Sequence, residues 1–393
     1  MPVLNRVADF ASEMAEWRRD LHANPELGFE ETRTGGIVAA KLAEWGIEVH
    51  RGLAGTGVVG VLRNGSSGRS IGLRADMDCL PMEEANAFAH RSAAPGKMHA
   101  CGHDGHTATL LGAAKYLAET RNFDGTVHFI FQPAEEGQGG ARVMVREGLF
   151  KRFPCDAVYG IHNDPGLELG EAAVVAGTVL AASDRVGITV RGRGGHAARP
   201  HIAIDPVLVG AQIVVALQAL VSRRTDPLDS AVISITQFHA GAAGNVIPEE
   251  AELYGTVRTL RPGTQDMMER LITQVARGTA AAHDAEAAVR YVRGYPPTVN
   301  HPEQTERAAL AAARVLGERG VIRNRPPAMG GEDFSFMLLE RPGCFVKVGQ
   351  KGRDGRGGAP LHNPNYDFNE EMLPLGAGYF AALVEQELPR GGG

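Results

Sequence analysis

Between residues 183 and 294 the apolar runs follow the order strand 186–192, helix 205–222, strand 231–238, strand 250–260, helix 264–283 and strand 287–293. This βαββαβ string is the ferredoxin-like pattern, an antiparallel sheet carrying two helices. Asp205 stands as a cap before Pro206 at the first position of one helix; Met268, Leu271, Ile272, Val275 and Thr279 repeat along one face of the other. A piece of about 110 residues is large enough for its own core. A chain of 393 residues exceeds what one core usually supports. Residues 1–182 and 295–393 are therefore expected to fold together as a second, discontinuous domain around the inserted one.

The flanking sequence has a different rhythm. Val3 to Leu21 carries helical spacing, Asn24-Pro25-Glu26 breaks it, and Thr32 to Trp45 resumes it. Short β-branched runs at 58–62, 70–74, 126–131 and 157–161 then alternate with helical stretches at Thr107 to Leu117 and Gly140 to Phe150. A helix from Pro302 to Leu316, a strand from Gly343 to Val348 and a helix from Glu370 to Glu387 complete the pattern. Alternation of this kind predicts an α/β layer with a mostly parallel central sheet flanked by helices. Sites in such sheets gather at the carboxyl ends of strands.

Composition excludes several classes. A net charge of −6, with no basic run longer than pairs such as Arg18-Arg19 and Arg223-Arg224, offers no footprint for nucleic acid. An apolar share of 44% with 22% charged residues is that of an ordinary globular protein. Cys79, Cys101, Cys155 and Cys344 are too dispersed for a disulfide framework, and MPVLNRVADFASEMAEW lacks a charged-then-apolar leader, so a cytosolic protein is expected. Pro206 to Val221, the longest apolar stretch, contains Gln212 and Gln218 and falls short of the roughly 18–20 residues of a membrane span; a buried helix is expected instead. Gly391-Gly392-Gly393 is the one low-complexity piece.

Met98-His99-Ala100-Cys101-Gly102-His103-Asp104-Gly105-His106 packs a thiol, three imidazoles and a carboxylate into nine residues, which no apolar core requires. Cys101 and His103, two apart in an extended segment, would point the same way, with the following helix as rigid backing. His99, Asp104 and His106 suit supporting roles, because groups that orient metal ligands are needed nearby. Glu135 and Glu136 end one strand-like run, His162 ends another, and His362 follows in the last portion. Adjacent carboxylates repel unless a cation intervenes. One of the pair can then ligate while its neighbour takes a proton from water and passes it to a leaving group. Asp76 and Asp78, closing a further strand, are placed to hold the base or a ligating imidazole. The set suffices for two divalent ions and a spare base.

Seven segments carry a resemblance: Arg19 to Gly28, Arg74 to Pro81, Met98 to His106, Phe131 to Gly137, Gly194-Gly195-His196-Ala197-Ala198, Gly244 to Pro248, and Gly330-Gly331-Glu332-Asp333-Phe334. Over nearly all its length the chain resembles the amidohydrolase branch of the dinuclear aminoacylase and carboxypeptidase family, which includes hippurate hydrolases, N-acyl amino acid amidohydrolases and plant auxin-conjugate hydrolases. The resemblance implies a zinc-peptidase-like catalytic domain and an inserted dimerisation or lid domain. It implies Cys101, His103, Glu136, His162 and His362 as metal ligands, Glu135 as general base, and Asp76, with Asp78 kept beside it, as a second catalytic carboxylate. His196 would stabilise the oxyanion, from its own subunit or a partner's. Asn245 and Arg258 would bind the substrate's carboxylate, for which a guanidinium fork is suited, and Gly331 would let the backbone approach the ligand.

A thiolate among the ligands argues against magnesium and calcium and leaves manganese, zinc, cobalt or nickel. The expected activity is hydrolysis of an N-acyl amino acid by a homodimer or homotetramer with no nucleic-acid or membrane partner. The rivals are a dipeptidase or carboxypeptidase on the same scaffold, and a metal- or ligand-binding relative without turnover. The Asp76-Met77-Asp78 segment, where peptidase relatives tend to carry His-x-Asp, favours the amidohydrolase; Glu135 is superfluous to a pure binding site.

Overall fold

The computed structural model of the chain describes residues 2–390, so the terminal triglycine lies outside the described residues. Two compact units emerge: Met1–Gly177 with Val299–Pro326 and Asp333–Gly393, and Thr178–Thr298 with Pro327–Glu332.

The first unit is a mixed α/β layer. Its eight strands run in the order Glu48–Leu53, Gly57–Asn64, Gly125–Gln132, Ser70–Asp76, Ala157–Glu168, Gly343–Lys351, Ala172–Ala173 and Val321–Ile322. The four central strands, from Gly125–Gln132 to Gly343–Lys351, are mutually parallel, and the strands flanking this block, Gly57–Asn64 and Ala172–Ala173, each join it antiparallel. Their near-continuous β-branched and aromatic content follows from being covered on both faces: Val127, Phe129, Phe131, Leu73, Tyr159 and Val346 are all buried. Helices His103–Thr120, Met372–Glu387 and Ala11–Ala23 pack together, and Pro302–Leu316 lies against Met372–Glu387. Met372–Glu387 is apolar almost all round and is buried accordingly.

Three sequence expectations need correction here. The expected helix from Val3 to Leu21 is two, Pro2–Ala8 and Ala11–Ala23, because Phe10 turns into the core between them. Gly140 to Phe150 is likewise split at Glu147-Gly148 into Gly140–Arg146 and Leu149–Arg152. The helix expected from Thr107 begins at His103. That shift matters for the chemistry below.

The second unit is the ferredoxin-like βαββαβ sandwich. Its sheet, ordered Ala231–Ala240, Glu250–Thr259, Ala182–Arg191, Glu286–Tyr295, is antiparallel throughout. Val186, Ile188, Leu253 and Val257 meet Val209, Ile213, Leu217, Met268, Leu271 and Ile272 from its two helices in one core. Asp205 caps Pro206–Arg224 as expected, accepting the Val207 N–H at 2.9 Å, a contact of about 1 kcal/mol. That helix is not buried all round, however. Val209, Ile213, Leu217 and Leu220 face the core, whereas Val207, Leu208 and Val215 are exposed. Among the described residues it is the one helix long and apolar enough to cross a membrane by length and composition.

Candidate metal centre

The parallel register brings strand ends to one level. Asp76 pairs with Gln132 and Arg74 with Gly160, so the segments continuing to Asp78, to Glu135 and to His162 leave the sheet side by side. Helix His103–Thr120 is tied to this edge by the Thr107 hydroxyl, which donates to Asp76 O at 2.9 Å. Cys101 and His103 do not share an extended segment. Gly102 between them is left-handed at φ 93°, and His103 is the first helical residue. A methyl group at Gly102 would lie 2.5 Å from Asn163 Oδ1 and 2.7 Å from the Tyr366 hydroxyl, so glycine is required on both steric and conformational grounds.

The five candidate ligands converge. Ligand atoms of Cys101, His103 and His162 lie within 4.8 Å of one another, as do those of Cys101, Glu136 and His362, and those of His103, Glu135 and Glu136. Cys101 Sγ is 3.4 Å from His162 Nε2, and His362 Nε2 is 3.3 Å from Glu136 Oε1. His362 arrives from the far end of the chain with φ 61°, pinned by its N–H to Ala100 O at 2.8 Å. A non-glycine residue in that region costs roughly 1–2 kcal/mol and persists only where surroundings impose it.

The imidazoles are oriented as ligation demands. His103 Nδ1–H donates to Asp78 O at 2.9 Å and Oδ1 at 3.1 Å, and His162 Nδ1–H donates to Asn163 O at 2.7 Å. Each Nε2 is thereby left with its lone pair toward the cluster. His103 Nε2 and Glu136 Oε1 are buried there with no hydrogen-bond partner among the described residues. Orphaned acceptors beside a thiol fit a borderline-soft divalent cation and are costly without one. Burial, then the neighbouring His106, holds the His162 imidazole well below its ordinary value, in the neutral form a metal needs.

Behind the ligands lies a layer of buried charge. Asp78 also accepts the Glu136 N–H at 2.9 Å. Asp76 accepts His106 Nδ1–H at 2.6 Å, and His106 Nε2 accepts the Asn163 N–H at 3.1 Å. Burial pushes the Asp76 carboxyl up, but its charged neighbours, the Arg74 guanidinium first among them, outweigh it and hold the group well below its ordinary value of 3.8. Arg74, fully buried, reaches Asp76 at 2.7 Å, Asp333 at 3.1 Å and Gln132 at 2.8 Å. The Asp333 N–H in turn donates to Glu135 Oε1 at 3.3 Å.

A further network, unforeseen from sequence, runs away from the centre. Asp104 accepts from Arg18 Nε at 2.8 Å and from His22 Nδ1 at 2.9 Å, and His22 Nε2 meets Glu84 at 3.1 Å. Burial lowers the His22 pKa, yet the hydrogen bonds to Asp104 and Glu84 prevail and raise it above its ordinary value. His99 has the opposite fate. Among the described residues both ring nitrogens are buried without hydrogen-bond partners, and burial brings the group down to about 4. His22, His99 and Asp104 fall in the resembling segments Arg19 to Gly28 and Met98 to His106, but pairings between distant segments leave no local signal.

The remaining candidates lie in the second unit, in two places. His196 pairs with Val246 in a short two-stranded ladder, Ala197 N–H donates to Asn245 O at 3.0 Å, and His196 is exposed. Arg258 is paired in register with Ser183, and Gly331 lies against Ser183 so closely that a methyl there would be 2.9 Å from its Cβ. Arg258 Nη1 is buried with no partner among the described residues, and burial lowers the group's pKa.

The sequence matches the profile of peptidase family M20/M25/M40 over residues 72–386. The chain belongs to this family. Hippurate hydrolase of Campylobacter jejuni is 42% identical across 98% of this chain and 99% of its own length. N-acetylcysteine deacetylase of Bacillus subtilis is 39% identical across 95% and 97%. The crystal structure of Bacillus subtilis YXEP protein, described as a dinuclear metal binding peptidase from the M20 family, superposes with a TM-score of 0.84 at 35% identity, covering 96% of this chain and 98% of that one. In this M20/M25/M40 member, the buried Cys101, His103 and His162, with half-buried Glu136 and exposed His362, form a centre for divalent metal ions.

Proposed function

We propose that the chain splits N-acyl amino acids into a carboxylic acid and a free amino acid using two divalent ions, held by Cys101, His103, Glu136, His162 and His362. The observation that carries the reading is the sharing of Cys101 between two ligand groups, with Glu135 beside Glu136 yet anchored separately through Asp333. When bound, divalent cations polarise an acyl oxygen and acidify water. The chain's own residues do the rest. Glu135 takes the proton of the attacking water, whose oxygen bonds to the acyl carbon; as the C–N bond breaks, Glu135 returns the proton to the departing nitrogen. Asp76 and Asp78 keep His106 and His103 oriented. His196 is assigned to the developing oxyanion, and Arg258 with Asn245 and Gly331 to the free carboxylate that distinguishes an N-acyl amino acid from a simple amide.

The ligand set favours manganese, zinc, cobalt or nickel. Protein stripped by chelation and re-supplied with each ion, then tested on benzoyl-, acetyl-, indole-acetyl- and long-chain acyl amino acids beside dipeptides, should regain at least tenfold activity on an N-acyl amino acid with at least one ion. Cleavage of dipeptides alone would favour the peptidase reading, and full activity with no transition ion detected would end the proposal.

A homodimer is assigned to the second unit. Ala231–Ala240 is an open sheet edge, and exposed Val207, Leu208 and Val215 project from the neighbouring helix, against whose Gly210 the Phe238 ring packs. A two-fold axis pairs such an edge antiparallel with itself. Sedimentation at micromolar protein should give twice the chain mass; Val215→Glu should halve it.

A further inference from the structure

Glu135 follows a bend that its own sequence does not favour. The chain leaves strand Gly125–Gln132 through Pro133 and then Ala134, whose φ is 55°, and an alanine stays in that region only when neighbours over-determine it. The Ala134 N–H donates to Glu31 Oε1 at 2.8 Å, the Gly140 N–H donates to Ala134 O at 2.9 Å, and Gly28 approaches so closely that a methyl there would lie 3.0 Å from both Ala134 Cα and Cβ.

Glu31 is fully buried, and its other carboxylate oxygen accepts the Thr56 hydroxyl at 2.6 Å. Among the described residues no cation pairs with it, and burial brings its pKa up to about 7. A carboxylate kept in so unfavourable a place is there for the hydrogen bonds it accepts. It borders the Arg19 to Gly28 segment, none of whose residues is among the candidate metal ligands. Glu26, in the Pro25-Glu26-Leu27-Gly28 run, accepts the N–H groups of Arg33 and Thr34 at 2.9 and 2.7 Å, fixing the helix that Glu31 precedes. Glu26 O also accepts the Cys79 N–H at 2.9 Å, next to Asp78.

We propose that Glu31 is a positioning residue for the hydrolysis, acting through the Ala134 N–H to set the directions in which Glu135 and Glu136 diverge. The inference rests on Glu135 being the general base. With Ala134 left-handed, the two neighbouring residues find separate anchors: Glu135 Oε1 on the Asp333 N–H, and the Glu136 N–H on Asp78 Oδ2. If Ala134 relaxed to an ordinary φ, the chain after it would rotate and both anchors would be strained. Displacing a catalytic group by about 1 Å costs on the order of a hundredfold in rate.

The test uses the metal-loaded enzyme and the panel substrate it turns over fastest, with kcat, KM, bound metal and melting followed for each variant. Glu31→Gln keeps an acceptor for the Ala134 N–H and should retain at least a third of kcat. Glu31→Asp withdraws the acceptor while keeping the charge; kcat should fall at least tenfold, with KM within threefold and metal content unchanged. Glycine accepts a positive φ freely, so Ala134→Gly added to Glu31→Asp should recover at least threefold of that loss. Should Glu31→Asp not fold, the double variant Glu31→Ala with Ala134→Gly takes its place and should stay within tenfold of wild-type kcat. Wild-type kcat in Glu31→Asp, an equal fall in Glu31→Gln, absence of recovery by glycine, or a greater than tenfold loss in the replacement pair each overturns the proposal. Glu135→Gln measured alongside separates the two readings: if it retains turnover, the base assignment fails, whereas its inactivity beside a fully active Glu31→Asp removes the positioning role alone.

Discussion

Glu135→Gln should lower kcat by about 10²–10⁴, the usual contribution of a general acid–base group, while bound metal and the melting temperature stay close to wild type. The amide matches the carboxylate in size, and its oxygen can still accept the Asp333 N–H that now lies 3.3 Å from Glu135 Oε1. What it loses is the ability to take a proton from water and hand it to the leaving nitrogen. Cys101, His103, Glu136, His162 and His362 are untouched, so elemental analysis should find the same ion content. Glu136→Gln is the informative partner. It removes charge from a group whose Oε1 sits buried beside His362, so its loss of activity should come with loss of metal. Equal turnover in Glu135→Gln and wild type would refute the assignment of the base. Equal metal loss in both variants would mean that Glu135 ligates, and the two adjacent carboxylates would have to exchange or share roles.

How much of this was legible in the sequence depends on whether a contact is local. The ends of strands Ser70–Asp76, Gly125–Gln132 and Ala157–Glu168 could be read because β-branched runs stop where polar side chains begin, and parallel strands deliver those ends to one side. The βαββαβ unit was readable for the same reason, with Asp205-Pro206 marking a helix start that the structure reproduces. The bend at Cys101-Gly102-His103 was misread as extended, because what holds Gly102 left-handed is Asn163 and Tyr366, both remote in sequence. Glu31 and Asp333 escaped for a related reason. Each acts through a backbone N–H, its own or one it accepts, and no pattern of side-chain types reports such a contact. The exposed face of Pro206–Arg224 was missed because apolar content alone does not say whether the covering surface belongs to the same chain.

Arg74→Met should destabilise the first unit by about 3–5 kcal/mol, the cost of breaking a buried ion pair from one side. Methionine fills much of the arginine's volume, so the loss is electrostatic more than steric. Asp76 and Asp333 would be left as carboxylates with no exposure and without the guanidinium that now lies 2.7 and 3.1 Å away. Arg74→Lys should recover only part of this, since an ammonium cannot span Asp76, Asp333 and Gln132 together. The pH dependence gives an independent check. Because Asp76 is held below 3.8 in the folded protein, its ionised form contributes stability above that value, and the contribution is lost as pH falls through the lower folded pKa. Removing Arg74 takes away part of this advantage, so the gap between variant and wild type in chemical denaturation should be widest near neutrality and narrow below about pH 4. A gap independent of pH would point to packing instead. Activity should fall with stability: Asp76 orients His106, and the Asp333 N–H anchors Glu135, so a single buried guanidinium supports the carboxylate on the metal side and the backbone on the base side. Restoring the rate at low temperature, where Arg74→Met remains folded, would show that the two effects are separable and that the charge layer behind the ligands serves folding alone.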